Sequence, residues 1–328
     1  MPKTRLGADT TSTDGAEVTT EHPARETRND GLERRVSVKV VSAPQPSSCK
    51  LIFLGNGPLA DSTLAILEQH CDIIFHANDK SDLDQVVALK RQFPNAHAVL
   101  ASFGVLIKPE ILELFEPEGI LNLHPSKLPA YRGPSPIESA ILAGDNTFSY
   151  SIMKLARTMD AGPIYHQATL ENLPLEKSTI YHELATAGAQ WLVEKFHELK
   201  KSGLSSLSEL ISPTPQDDSI ATFTKKLTKS DAFLEPEKFP AETILRQIIA
   251  YQGFPKPKYS FFKKTCIILK AHFLSVDKII HDVDSACTES TPLMLRCADR
   301  NFVVVEKLQP EGKKPMDARS FINGYAQH

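Results

Sequence analysis

Between residues 50 and 104 the chain repeats one pattern, a short apolar stretch followed by a turn and a segment with apolar residues at helical spacing. KLIFLGNGPLADSTLAILEQ (50–69) reads as a buried strand, a Gly-x-Gly turn and an amphipathic helix with Leu64, Ile66 and Leu67 on or near its inner face. CDIIFHAND (71–79) and DLDQVVALKRQF (82–93) repeat the strand and the helix, and AHAVLASFG (96–104) begins a third unit. Strands that alternate with helices are joined by crossovers, so this stretch predicts an α/β fold whose parallel sheet is covered on both faces. The turn Gly55-Asn56-Gly57-Pro58 lacks the third glycine and the later acidic residue of a dinucleotide fingerprint, and is read as a tight strand-to-helix turn.

The pattern continues through a helix at 109–115 and a fourth strand at 119–126, GILNLHPS. Asn122 and His124 are two apart on that strand, so their side chains share a face. Ligands of open α/β sheets collect at the carboxyl ends of the strands, and His124 stands there, just before Pro125. A histidine at a strand end can also simply cap a loop. PSKLPAYRGPSP (125–136) has four prolines and one glycine, a stiff loop that can position a ligand, with Arg132 able to hold an anion. A helix at 137–145 ends at Gly144, and an alternating strand at 148–156 delivers the turn TMDAGPI, where Gly162 is expected to supply a positive φ. Asp160 in that turn completes an amide, an imidazole and a carboxylate with no serine or cysteine nucleophile beside them. Such a trio suits direct attack of an amine on a carbonyl carbon: an oxyanion needs a donor, and the amine must lose a proton.

SFGVLI (102–107), NLHPSKLPAYRG, SPIESAILAGD, SIMKLARTMDAGPI and LQPEGKKPMDARSFINGY (308–325) resemble the folate-dependent N-formyltransferases, and within them the methionyl-tRNA formyltransferases, over residues 50–328. The resemblance implies transfer of the formyl group of 10-formyltetrahydrofolate to the α-amino group of methionine on initiator tRNA, with Asn122, His124 and Asp160 as the catalytic set and no metal. It implies a folate site lined by Ser126, Lys127, Leu128 and Pro129 and by the SFGVLI backbone at Gly104, with Phe103 and Ile107 as apolar contacts. The implied fold is a Rossmann-like catalytic domain at 49–210, a linker at 211–222 and a smaller oligonucleotide-binding-like (OB-like) β-barrel domain at 223–328. A helix at 241–252 and strands CIILKAHFL, PLMLRCAD and NFVVVEKLQ fit that last domain. Two features depart from the family: Lys127 stands where relatives carry an apolar residue, and the basic loop expected after the second strand is missing from FHANDKSDLDQ (75–85). A sugar-nucleotide N-formyltransferase is therefore the alternative reading, together with a folate- or RNA-binding relative without catalysis.

Charge divides along the same line. Residues 223–328 hold 17 Lys+Arg against 12 Asp+Glu, a net +5, and the whole chain carries −3, which leaves −8 on the first 222 residues. Arg132, Lys225, Lys226, Lys256, Lys258, Lys313 and Lys314 are the residues expected to meet RNA phosphates. Five cysteines without a C-x-x-C pair point to free thiols in a reducing compartment. No apolar run is long enough for a membrane span. The first 48 residues carry seven acidic residues and almost no apolar periodicity, which favours a disordered extension over a transit peptide. A soluble cytoplasmic monomer is expected, or an organellar matrix protein if those residues are a transit peptide.

Overall fold

The computed structural model describes residues 49–276 and 292–326; the extension read above at 1–48, and Cys287, lie outside the described residues. The larger part opens with β1 (Lys50–Gly55), α1 (Pro58–His70), β2 (Asp72–Ala77), α2 (Leu83–Gln92), β3 (His97–Ala101), α3 (Pro109–Glu113) and β4 (Leu121–His124). It continues with α4 (Pro136–Ala143), β5 (Phe148–Lys154), β6 (Ile164–Leu170), α5 (Lys177–Ser202) and α6 (Leu207–Leu210). The six strands form one sheet in the order β2-β1-β3-β4-β5-β6. Pairing is parallel from β2 to β4, and β5 and β6 are antiparallel, so the expected parallel sheet carries an antiparallel edge.

Burial on both faces explains why β1 reads as a continuous apolar run. Leu51 and Phe53 point into the core beneath α1, α4 and α5, while Ile52 and Leu54 point into a second core beneath α2 and α3. In α1 the buried side is Leu59, Ala60, Thr63 and Leu67, with Leu64 and Ile66 only half-buried. The turn before α1 needs its glycines for two reasons. A Cβ on Gly55 would lie 2.0 Å from the Ala101 carbonyl oxygen, and Gly57 adopts φ 82° as it caps the helix.

The smaller part comprises α7 (Ala241–Ala250), β7 (Lys258–Phe261), β8 (Lys264–Leu274), β9 (Met294–Arg296), β10 (Phe302–Pro310), β11 (Met316–Asp317) and α8 (Ala318–Tyr325). Its antiparallel sheet runs β11-β10-β8-β7, with β9 also on β10. Among the described residues no pairing joins β7 to β11, so the expected barrel is a curled sheet. Ile244, Ile248, Ile268, Val303, Val305 and Phe321 fill its own core. Helix α7 belongs to both parts, since Ala250 and Tyr251 at its end enter the α1/α4/α5 core.

Residues 211–224, which contain the expected proline-bearing linker, form a strap hydrogen-bonded along the 129–135 loop. Arg132 N donates to Thr222 O (2.9 Å), Thr222 N to Pro129 O (3.2 Å) and Thr224 N to Arg132 O (2.7 Å). Tyr131 N and Ser135 N donate to the hydroxyls of Thr222 (2.8 Å) and Thr224 (3.1 Å).

Candidate active site

Strand β4 is buried along its whole length, and both polar side chains on its shared face are nearly inaccessible: Asn122 and His124 are each 5% exposed. The side-chain amide of Asn122 makes no hydrogen bond among the described residues, although Asn122 is buried, which leaves its N–H groups available to a ligand. His124 is held at one nitrogen. Its Nε2 lies 3.0 Å from the carbonyl oxygen of Tyr131, a residue at φ 58°. A carbonyl only accepts, so Nε2 carries the hydrogen, and in the neutral ring the lone pair is on Nδ1. That Nδ1 faces Asp160, whose Oδ2 is 3.8 Å away.

Asp160 is positioned from three sides. Its Oδ2 accepts from Gly133 N (2.7 Å), and its own carbonyl and that of Gly162 both accept from Gln216 Nε2 (2.8 and 2.7 Å). Gly162 does not supply the positive φ expected of it; Asp160 itself turns the chain, at φ 50°. The glycine is needed because a Cβ there would lie 1.8 Å from the Lys154 carbonyl oxygen.

The expected folate residues divide into supports and open groups. Ser126 and Leu128 are buried: Ser126 Oγ donates to Ala130 O (2.6 Å), and Leu128 is pinned by Ser151 Oγ and by Gln167 Nε2 at its N and O (3.2 and 2.7 Å). Lys127 is exposed and Pro129 half-buried, so these two offer themselves to solvent. Phe103 and Ile107, expected as pocket contacts, are packed into the α2/α3 core at 3% and 5% exposure, while Gly104 and Leu106 between them are open. The peptide groups from 103 to 107 make no hydrogen bonds among the described residues, so their N–H and C=O groups can meet the donors and acceptors of a heterocycle. The residues present thus fit a folate.

Arg132 requires a correction. It was expected to meet RNA, but it is 2% exposed and its Nε and Nη2 donate to Gln216 Oε1 (3.0 and 2.7 Å), with Nη2 also on Asp218 (2.7 Å). Burial and the bonds to Gln216 and Asp218 make it a clamp on the strap. Lys225, Lys226, Lys256, Lys313 and Lys314 are exposed, and Lys258 is half-buried with its Nζ 5.8 Å from the Phe233 ring centroid. Gln216 and Gln167 escaped sequence reasoning because each is an isolated polar residue with no motif around it, and Ser151 because it opens the SIMKLARTMDAGPI stretch with nothing to mark its partners. The proline-bearing stretch that contains Gln216 had the composition of a linker.

Comparisons with known proteins bear on the family and the fold. The family model described as formyl transferase matches residues 5–196, and the one described as formyl transferase, C-terminal domain, matches residues 226–326. A methionyl-tRNA formyltransferase of Dictyoglomus turgidum is 34% identical over 231 residues, 69% of this chain and 70% of that protein. HypX from Aquifex aeolicus, solved in complex with tetrahydrofolic acid, superposes with a TM-score of 0.63 at 14% identity, covering 85% of this chain and 48% of that one, so this chain spans about half its length. A methionyl-tRNA formyltransferase from Clostridium thermocellum gives a TM-score of 0.54 at 18% identity, covering 69% of this chain and 93% of that one. At such identities the two structures speak for the fold alone, and membership rests on the sequence: both halves of this chain match, and it belongs to the formyl transferase family.

Proposed function

We propose that this protein transfers the formyl group of 10-formyltetrahydrofolate to the α-amino group of methionyl initiator tRNA. The observation that carries the chemistry is the unengaged Asn122 amide on the same strand face as a histidine whose free nitrogen faces a carboxylate. As the amine nitrogen bonds to the formyl carbon, the carbonyl oxygen gains negative charge and Asn122 donates to it. His124 Nδ1 takes the proton released by the amine, and the resulting imidazolium is stabilised by Asp160. The same proton then passes to N10 of the folate as the carbon–N10 bond breaks. Ser151 and Gln167 hold the 126–128 loop in place throughout, through hydrogen bonds that need no ligand.

The choice of amine is supported by the relative in Dictyoglomus turgidum and by the basic carboxyl-terminal part. One observation favours the sugar-nucleotide alternative. After β2 the chain enters a short turn closed by Asp79 and Asp82 and passes directly into α2, with no basic arm. Among the described residues no helix is long and apolar enough to cross a membrane; the proposed substrate itself places the protein beside the translation machinery. The deciding experiment supplies 10-formyltetrahydrofolate with either methionyl initiator tRNA or an amino-sugar nucleotide. Formyl label on the tRNA is expected, and label on the sugar alone would overturn the reading.

A further inference from the structure

A cavity of about 580 Å³ lies beside the catalytic loop, its wall beginning at Pro134, one residue beyond the Gly133 that orients Asp160. It is lined by the loop and α4 on one side, by the start of α5 on another, and by Lys226 and Phe254 of the smaller part. The volume is that of a small-molecule site. Its floor is charged. Glu138 is 7% exposed, and its Oε1 accepts both from Lys177 Nζ (3.2 Å) and from the Tyr181 hydroxyl (3.0 Å). The other oxygen, Oε2, has no hydrogen-bond partner among the described residues, although Glu138 is buried and lines the cavity. It stands open at the cavity wall as an acceptor that the N–H of a ligand can reach. At the rim, Phe254 is 51% exposed and Lys226 is exposed.

We infer that this cavity receives a base bearing an exocyclic amine from the unpaired C-C-A end of the tRNA, an inference that rests on the function proposed above. The base stacks on Phe254, as single-stranded nucleic acids do on exposed aromatic rings, and its amino group donates to Glu138 Oε2. Lys226 meets the neighbouring phosphate. Adenine and cytosine present an amino donor at this edge, whereas uracil and thymine present a carbonyl in its place. A carbonyl oxygen against the carboxylate is repelled, so the site selects for adenine and cytosine, the bases of the tRNA end, over uracil. A nucleotide site at this position also provides a grip on the acceptor end that does not depend on a basic arm.

The test uses the full chain with AMP, CMP and UMP as probes, followed by steady-state formylation of methionyl-tRNA. AMP and CMP are expected to bind about tenfold more tightly than UMP. Glu138→Gln, which keeps an acceptor for Tyr181 but places an amide in the cavity, should erase that preference. Phe254→Ala, a change at a half-open side chain, should raise KM for the tRNA about tenfold with kcat unchanged. If the wild-type protein formylates methionyl-tRNA yet binds UMP as tightly as AMP, or Phe254→Ala leaves KM unchanged, the inference is overturned while the proposed function stands. If the wild-type protein formylates no tRNA, the function beneath it is overturned, and the identity of the occupant with it.

Discussion

Gly162 and Asp160 share one turn and exchange the roles their residue types suggest. The aspartate takes the left-handed backbone and the glycine takes the crowded position, because the Lys154 carbonyl leaves no room for a side chain. Gly162→Ala is therefore expected to push the turn away from β5 and carry Asp160 off His124. Formyl transfer should fall by about 100-fold, the scale of a displacement near 1 Å at a reacting centre, and a turnover assay beside a folate-binding titration checks it. Asn122→Ala removes the donor aimed at the oxyanion and should lower kcat about 100-fold or more, about 3 kcal/mol, with folate affinity retained. Near-normal turnover would remove Asn122 from the mechanism. The residue types and the two-residue spacing on one strand were legible in the chain, because side-chain direction alternates with a period set by the strand backbone. Which nitrogen of His124 is free was not, since that depends on the Tyr131 carbonyl seven residues away.

At the scale of elements, the strap at 211–224 does the positioning that the catalytic loop cannot do for itself. Gln216 alone joins Arg132 to the Asp160 turn, accepting two hydrogen bonds and donating two. Gln216→Ala leaves a buried guanidinium with Asp218 as its remaining carboxylate partner and frees the turn. A loss of about 2–3 kcal/mol is expected, together with a fall in kcat larger than any change in folate binding; denaturant melts and single-turnover assays separate the two effects. An unchanged kcat would show that the strap only supports the fold. The strands and helices of residues 50–156 and helix α7 were legible, with the ends of α4 and α7 placed within about two residues, a usual uncertainty, whereas β6 and β7 went unread. The strap was not legible, because hydrogen bonds between polar residues some 84 positions apart leave no periodic trace in the sequence. The antiparallel turn of β5 was equally hidden, since an alternating strand reads the same in either direction.

Across the whole molecule two electrostatic features act. At the far edge of the larger core, His97 Nδ1 pairs with Glu118 (2.8 Å), whose other oxygen accepts from Leu207 N (2.9 Å), tying β3 to α6. Burial pulls the His97 pKa down, but the hydrogen bond and charge of Glu118 outweigh it, so the pKa is raised above the ordinary 6.5. A raised histidine contributes stability that is fully present below pH 6.5 and is lost as pH climbs through the folded-state value. The melting temperature should decline over that alkaline side, and Glu118→Gln should flatten the decline. The second feature is the positive carboxyl-terminal part. The logarithm of the tRNA affinity should fall linearly with log salt, and Lys313→Glu with Lys314→Glu should make that slope shallower without altering folate binding.

The alternation of strands and helices, the shared face of Asn122 and His124 and the basic carboxyl-terminal part were determined by the sequence alone, because each is a property of neighbouring residues or of simple composition. Only the tertiary structure decided that Arg132 is a clamp, that Asp160 stands 3.8 Å from His124 Nδ1 and that Glu138 keeps one oxygen open to a cavity. Those outcomes depend on which distant groups satisfy a buried charge or hydrogen bond, and packing of the whole chain makes that selection.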